Sequence, residues 1–196
     1  MFGQPPCERI NNPHAADEKA SCPRASDADE ARHHCRIVTF RLIAMPMLTR
    51  DNLQQSVGPP IGTSSWIEVP QSRIDAFAEC TEDRQWIHID VERAKRESPF
   101  HAPIAHGFLT LSLLPISSYE LLGGLKATKS VNYGLDKLRF MSPVPAGSRV
   151  RNHIRLLAAD QRDDGWTLVK TENSVEIEGQ EKPALVAVSL GLFSWD

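Results

Sequence analysis

AHGFLTLSLLPISSYELLGGL, residues 105 to 125, carries apolar side chains on nearly every helical face: Phe108, Leu109, Leu111, Leu113, Leu114, Ile116, Leu121 and Leu122. A helix that is apolar all round is a buried helix, so this segment predicts the centre of a core. Pro115 lacks an N–H and predicts a kink, and Gly123-Gly124 predicts the stop. Downstream the period changes from that of a helix to that of a strand. In LVKTENSVEIEG, residues 168 to 179, Val169, Thr171, Asn173, Val175 and Ile177 alternate with Lys170, Glu172, Ser174, Glu176 and Glu178. That is the pattern of an antiparallel strand with one wet face. ALVAVSLGLF (184–193) is apolar on both faces and predicts an interior strand. VNYGLDKLRF (131–140) and SRVRNHIRLLAA (148–159) supply two more, separated by the turn MSPVPAG. Upstream, VPQSRIDAFAECTED has Pro70 and Ser72 as start signals and an apolar face of Ile74, Phe77 and Ala78, which predicts a helix ending close to Asp83. Helix, loop, wholly buried helix, then about four antiparallel strands are packed most economically as one long helix enclosed by a curved antiparallel sheet, an α+β arrangement.

With 196 residues the chain suits one domain. Residues 1–46 are rich in Pro, Asp, Glu, Ala, Ser and Arg without sustained periodicity and predict a disordered extension, which leaves 47–196 as the folded domain. Twenty-two Lys and Arg against 25 Asp and Glu give a net charge of −3. With no basic block among them, nucleic acid is excluded as an expected partner. The apolar run IVTFRLIAMPML is interrupted by Arg41 and Pro46, too short to span a bilayer, so no membrane association and a cytoplasmic location are expected. Cys7, Cys22, Cys35 and Cys80 contain no Cys-x-x-Cys pair, and the HHC run at 33–35 has no second ligand pair. Neither a disulfide framework nor a metal site is expected.

The chemistry is concentrated in TEDRQWIHID, residues 81 to 90. Asp83 stands at the C-terminal end of a predicted helix, where the macrodipole disfavours a carboxylate by roughly 0.3–1 kcal/mol and so helps it carry a proton. His88, in the following loop, titrates near neutrality. Gln85 offers a donor and an acceptor that would hold a water. The competing reading is plainer: Asp83 caps a turn and His88 is a satisfied loop histidine. Gly107 opens the apolar helix, where backbone N–H groups have no intrahelical partner and would polarise a carbonyl. Alternatively it only relieves crowding. His106 is a third proton handler or a residue that bonds locally at the helix start. No Gly-x-Ser-x-Gly, Gly-x-Gly-x-x-Gly or Walker A pattern is present, which leaves serine hydrolases, dinucleotide oxidoreductases and kinases without a motif.

These residues resemble the MaoC-like dehydratases, a family that includes the (R)-specific enoyl-CoA hydratases and the NodN-like proteins. The hydratase signature Gly-Asp-x-Asn-Pro-(Ile/Leu)-His reads EDRQWIH from Glu82 to His88. Asp83 and His88 fall on the catalytic pair and Gln85 on the Asn. IAHGFLTLSLLP and VNYGLDKLRFMSPVPAGSRVR resemble the segments leading into and following the central helix, and the similarity spans roughly residues 50–195. It implies the hot-dog fold, usually paired into a homodimer. The implied reaction is reversible syn hydration of a trans-2-enoyl thioester, carried on CoA or a carrier protein, with no metal or other cofactor. It also implies that Asp83, His88 and Gln85 handle the water, that the Gly107 N–H meets the thioester carbonyl, and that His106 and Phe108 lie against the substrate. Asn132 and Tyr133 line the acyl tunnel or simply pack within their strand. A hot-dog thioesterase and a weakly active acyl-thioester-binding protein are the alternatives. One departure stands out: Glu82 occupies the family's glycine position. If that residue is left-handed, Glu82 costs on the order of 1 kcal/mol.

Overall fold

The computed structural model describes residues 47–196. The expected disordered extension, the HHC run and three of the four cysteines lie outside those residues. The elements follow in the order β1 (Pro60–Thr63), β2 (Ile67–Val69), α1 (Gln71–Thr81), α2 (Trp86–Ile89), α3 (Val91–Glu97), α4 (Gly107–Ser112), α5 (Leu114–Leu122), β3 (Lys129–Phe140), β4 (Ser148–Gln161), β5 (Thr167–Ile177) and β6 (Leu185–Ser194). All six strands join one antiparallel sheet in the order β1-β4-β5-β6-β3, with β2 also on β4. The four long strands are those expected from the sequence, whereas β1 and β2 are too short to show a period. Strands β3 and β4 are joined by the expected turn but are not neighbours in the sheet. Residues 141–147 carry the chain across the sheet.

The alternation of β5 acts as expected: Val169, Thr171, Asn173, Val175 and Ile177 are all buried. Ile177 and Val175 join Ile74, Leu109, Leu114, Val150 and Leu185 in the main core, while Val169 packs with Leu48, Leu53, Leu122, Leu125 and Leu156 in a second cluster. The outer face carries a ladder of charges. Arg151 and His153 both reach Glu176 at 2.7 Å, and Arg149 pairs with Glu178. Such solvated pairs contribute little stability each and keep this face wet.

The apolar segment departs from expectation in two ways. It is two helices rather than one. Pro115 has no N–H to continue the ladder, and the chain breaks at Leu113, which bonds back to Thr110 at 3.3 Å. Nor is it wholly buried. Leu109, Thr110, Leu114, Ser117 and Leu122 face the sheet, but Phe108 is 67% exposed, Ile116 55% and Tyr119 67%. A single sheet can cover only one side of a helix. At 19 residues and a mean hydropathy of 1.3, Gly107–Leu125 has the length and composition of a membrane span; here it is the core helix pair. Gly124 ends it where the chain has no room for a side chain, since a Cβ would stand 2.3 Å from the Leu48 carbonyl oxygen.

Candidate active site

Helix α1 ends as its sequence dictates, and Glu82 at its C-cap takes the left-handed conformation, φ 61° and ψ 9°. This turn throws Asp83 out of the helix with its side chain 57% exposed. His88 is not in a loop, as the sequence reading had it, but in the single turn α2, between Gln85 at its N-cap and Asp90. One turn is too short for periodicity to reveal. It stops because Asp90 starts the next helix, its Oδ1 accepting from the Arg93 N–H at 3.0 Å.

The segment 98–106 then passes behind α2. The Ile104 N–H donates to the Ile87 carbonyl at 3.1 Å, and the Ala105 N–H to the Val144 carbonyl at 2.8 Å. Two consequences follow for the imidazoles. His88 Nδ1 lies 2.7 Å from the Ile104 carbonyl oxygen, and His106 Nε2 lies 2.8 Å from the Asp83 carbonyl oxygen. A carbonyl only accepts, so each of those nitrogens carries the proton. Neutral His88 therefore keeps Nε2 as a free base. Gln71 holds α2 from the other side, its Nε2 donating to the His88 carbonyl at 2.7 Å.

The two rings stack with centroids 3.8 Å apart, and His106 also meets Phe77 at 5.0 Å. Burial pushes the His88 imidazole below its ordinary value of 6.5; the Ile104 bond opposes that shift, His106 reinforces it and Asp83 opposes it. Ligating atoms of Asp83, His88 and His106 all lie within 4.8 Å of one another. One carboxylate and two imidazoles would also suit zinc. His106 Nε2 is taken up by its bond to the Asp83 carbonyl, while His106 Nδ1 is buried without a partner among the described residues.

The other residues singled out from sequence divide. Gln85 is exposed, and its side chain makes no capping bond. A Cβ on Gly107 would meet the Phe140 ring at 3.1 Å, so relief of crowding is a real part of its role. His106 does not bond locally: it makes no side-chain cap at the start of α4, and its Nε2 donates instead to the distant Asp83 carbonyl, which pins the residue carrying the acid. Phe108 packs edge-on to Phe140, with centroids 5.8 Å apart. Asn132 lines a cavity of about 340 Å³ between α5 and the strands β3, β5 and β6. Tyr133 does not line it, being 55% exposed with the Arg162 guanidinium 5.7 Å from its ring. The Ile104 and Asp83 carbonyls leave no mark in the sequence, because every residue has one.

A curved antiparallel sheet around a central helix, with an acid and two imidazoles at the helix mouth, defines a hot-dog protein of the dehydratase type. The model for "MaoC like domain" matches residues 52–178, and the chain belongs to the MaoC-like dehydratase family and is a hydro-lyase. It is 42% identical to nodulation protein N of Rhizobium leguminosarum bv. viciae, over 78% of this chain and 95% of that one. It is 41% identical to 3-hydroxyacyl-thioester dehydratase Z of Mycobacterium tuberculosis, over 71% of this chain and 91% of that one. Among solved structures it resembles the (R)-hydratase from A. caviae involved in PHA biosynthesis, with a TM-score of 0.55 and 25% identity, over 69% of this chain and 94% of that one.

Two outcomes follow from the geometry. Replacing Glu82 by Gly relieves the left-handed strain and should stabilise the fold by about 1 kcal/mol, read as a higher urea midpoint at unchanged slope; a lower midpoint would contradict the strain. His88 titrates at its ordinary 6.5 when unfolded and lower when folded. Its contribution to stability is therefore complete above 6.5 and is lost as the pH falls through the folded value. Urea unfolding between pH 7.5 and 5 should show a shallower pH slope in His88→Gln than in wild type.

Proposed function

We propose that this hydro-lyase interconverts trans-2-enoyl and (R)-3-hydroxyacyl thioesters by reversible syn addition of water. The observation that carries the reading is the pairing of Asp83 with a His88 whose tautomer is fixed by Ile104 and whose burial keeps it neutral near pH 7. In hydration the pair takes a proton from water as the hydroxyl adds to C3, and C2 receives a proton on the same face. Charge developing on the thioester oxygen is met by the Gly107 N–H at the start of α4, and Gln85 orients the water from the solvent side. The thioester itself acidifies C2, so the reaction as written calls for no metal or other cofactor. The dehydratase and (R)-hydratase names of its relatives support this substrate class, CoA or carrier-protein thioesters of fatty acid metabolism. A cytoplasmic location belongs to the same reading.

A homodimer completes it. Among the described residues strand β3 pairs with β6 alone and leaves its other edge open, with Val131 53% and Leu135 42% exposed, beside exposed Phe108, Ile116 and Tyr119 on the helices. An apolar helix flank and an open strand edge together are what a second copy would cover.

Purified protein should hydrate crotonyl-CoA or longer enoyl-CoA, seen as loss of enoyl-thioester absorbance. Asp83→Asn and His88→Ala should each lower kcat by about 10²–10⁴-fold without unfolding the protein. Release of free thiol from saturated acyl-CoA without hydration would move the assignment to a thioesterase. Light scattering in solution should give twice the 21.9 kDa of one chain, and a monomer at assay concentration would remove the dimer.

A further inference from the structure

The cavity under α5 is polar where a plain alkyl chain would want it apolar. Thr171 on β5 and Ser189 on β6 are direct cross-strand partners and both line it. Between them lies Asn173, whose Nδ2 is 3.2 Å from Thr171 Oγ1, 3.1 Å from Ser189 Oγ and 3.2 Å from the Thr171 carbonyl oxygen. The carbonyl only accepts, which fixes that atom as nitrogen. An amide NH₂ only donates, and its two protons are shared among these three oxygens, so neither hydroxyl can give its own proton to it. The Asn173 amide is held in turn: its Oδ1 accepts from Asn152 Nδ2 at 2.9 Å. Turning the Asn152 amide over would set two carbonyl oxygens against each other.

The result is a directed chain from Asn152 through Asn173 to two O–H donors, neither of which has an acceptor among the described residues. Thr171 is 6% exposed and Asn152 and Asn173 are 1% each, so water competes little for them. The chain persists although it leaves Asn152 Oδ1 buried without a partner, a cost that apolar side chains at these positions would avoid. Asn132 and Ser118 add polar groups from the facing walls, and exposed Lys126 also lines the cavity.

We propose that this cavity binds the distal part of the acyl chain and selects chains bearing an oxygen acceptor there, a keto, hydroxyl or carboxyl group, over plain alkyl chains. This rests on the hydratase reading for its substrate. From Gly107 to Pro115, where the cavity begins, the helix pair rises roughly 12 Å. That matches a medium-length acyl chain and lies beyond a crotonyl group.

The test compares two enoyl-CoA substrates of equal medium length, one plain and one with a distal oxygen, and in parallel measures calorimetric binding of their saturated counterparts. Wild type should favour the oxygenated chain by about tenfold in kcat/KM and in affinity. Thr171→Val with Ser189→Ala should erase that preference, both in the ratio of kcat/KM values and in affinity. Ser189→Ala alone, at a half-buried position, should remove part of it and guards against misfolding of the pair. Hydration with no oxygen preference in turnover or binding overturns the proposal and leaves the hydratase reading intact. A preference that survives both variants overturns it as well. Oxygen-selective binding lost in the variants, without any hydration, would uphold the cavity's role and sink the hydratase reading instead.

Discussion

A helix that is apolar on every side has to be covered on every side, and a single curved sheet covers one. Much of this molecule follows from that mismatch. Leu109, Leu114 and Leu122 are taken up by the sheet, while Phe108, Ile116 and Tyr119 remain on a flank continuous with the open edge of β3. The same helix pair sets the position of the site. Its first turn opens beside the α1–α2 connection, and its second half roofs the cavity against β5 and β6. The break before Pro115 separates these two regions, so the end that meets chemistry and the end that meets the cavity belong to different helical segments.

The site is held by main-chain carbonyls more than by side chains. The Ile104 and Asp83 oxygens each claim one imidazole N–H, and those two bonds decide which nitrogen of each ring is a donor. Stacking at 3.8 Å makes a double positive charge on the rings unfavourable, and burial biases His88 toward the neutral form. The left-handed turn at Glu82 supplies the remaining piece of geometry by turning Asp83 toward His106. A carboxylic side chain in a conformation that glycine tolerates best is strain kept at the edge of a functional site.

Legibility in the sequence tracked length and period. The alternation of β5, the start and end of α1, the stop at Gly123-Gly124 and the disruption at Pro115 were readable because each rests on local backbone chemistry or on a repeat long enough to see. Strands of three and four residues were not, nor was the single turn that carries His88. The residues of the dyad were marked by their spacing and by resemblance. Tyr133, paired with Asn132 from sequence, turns out to lie off the cavity, exposed beside the Arg162 guanidinium.

The sequence by itself determined that an apolar helix would be packed against an antiparallel sheet, and that Asp83, Gln85 and His88 would follow a helix end in one short run, since periodicity, proline and glycine act locally. Only the tertiary structure decided which nitrogen of each histidine holds a proton, where the helix pair is left uncovered, and that Thr171 and Ser189 stand side by side in the wall of one cavity. Those outcomes depend on backbone oxygens and on strand register, which bring together atoms that are far apart in the chain and that no side-chain letter encodes.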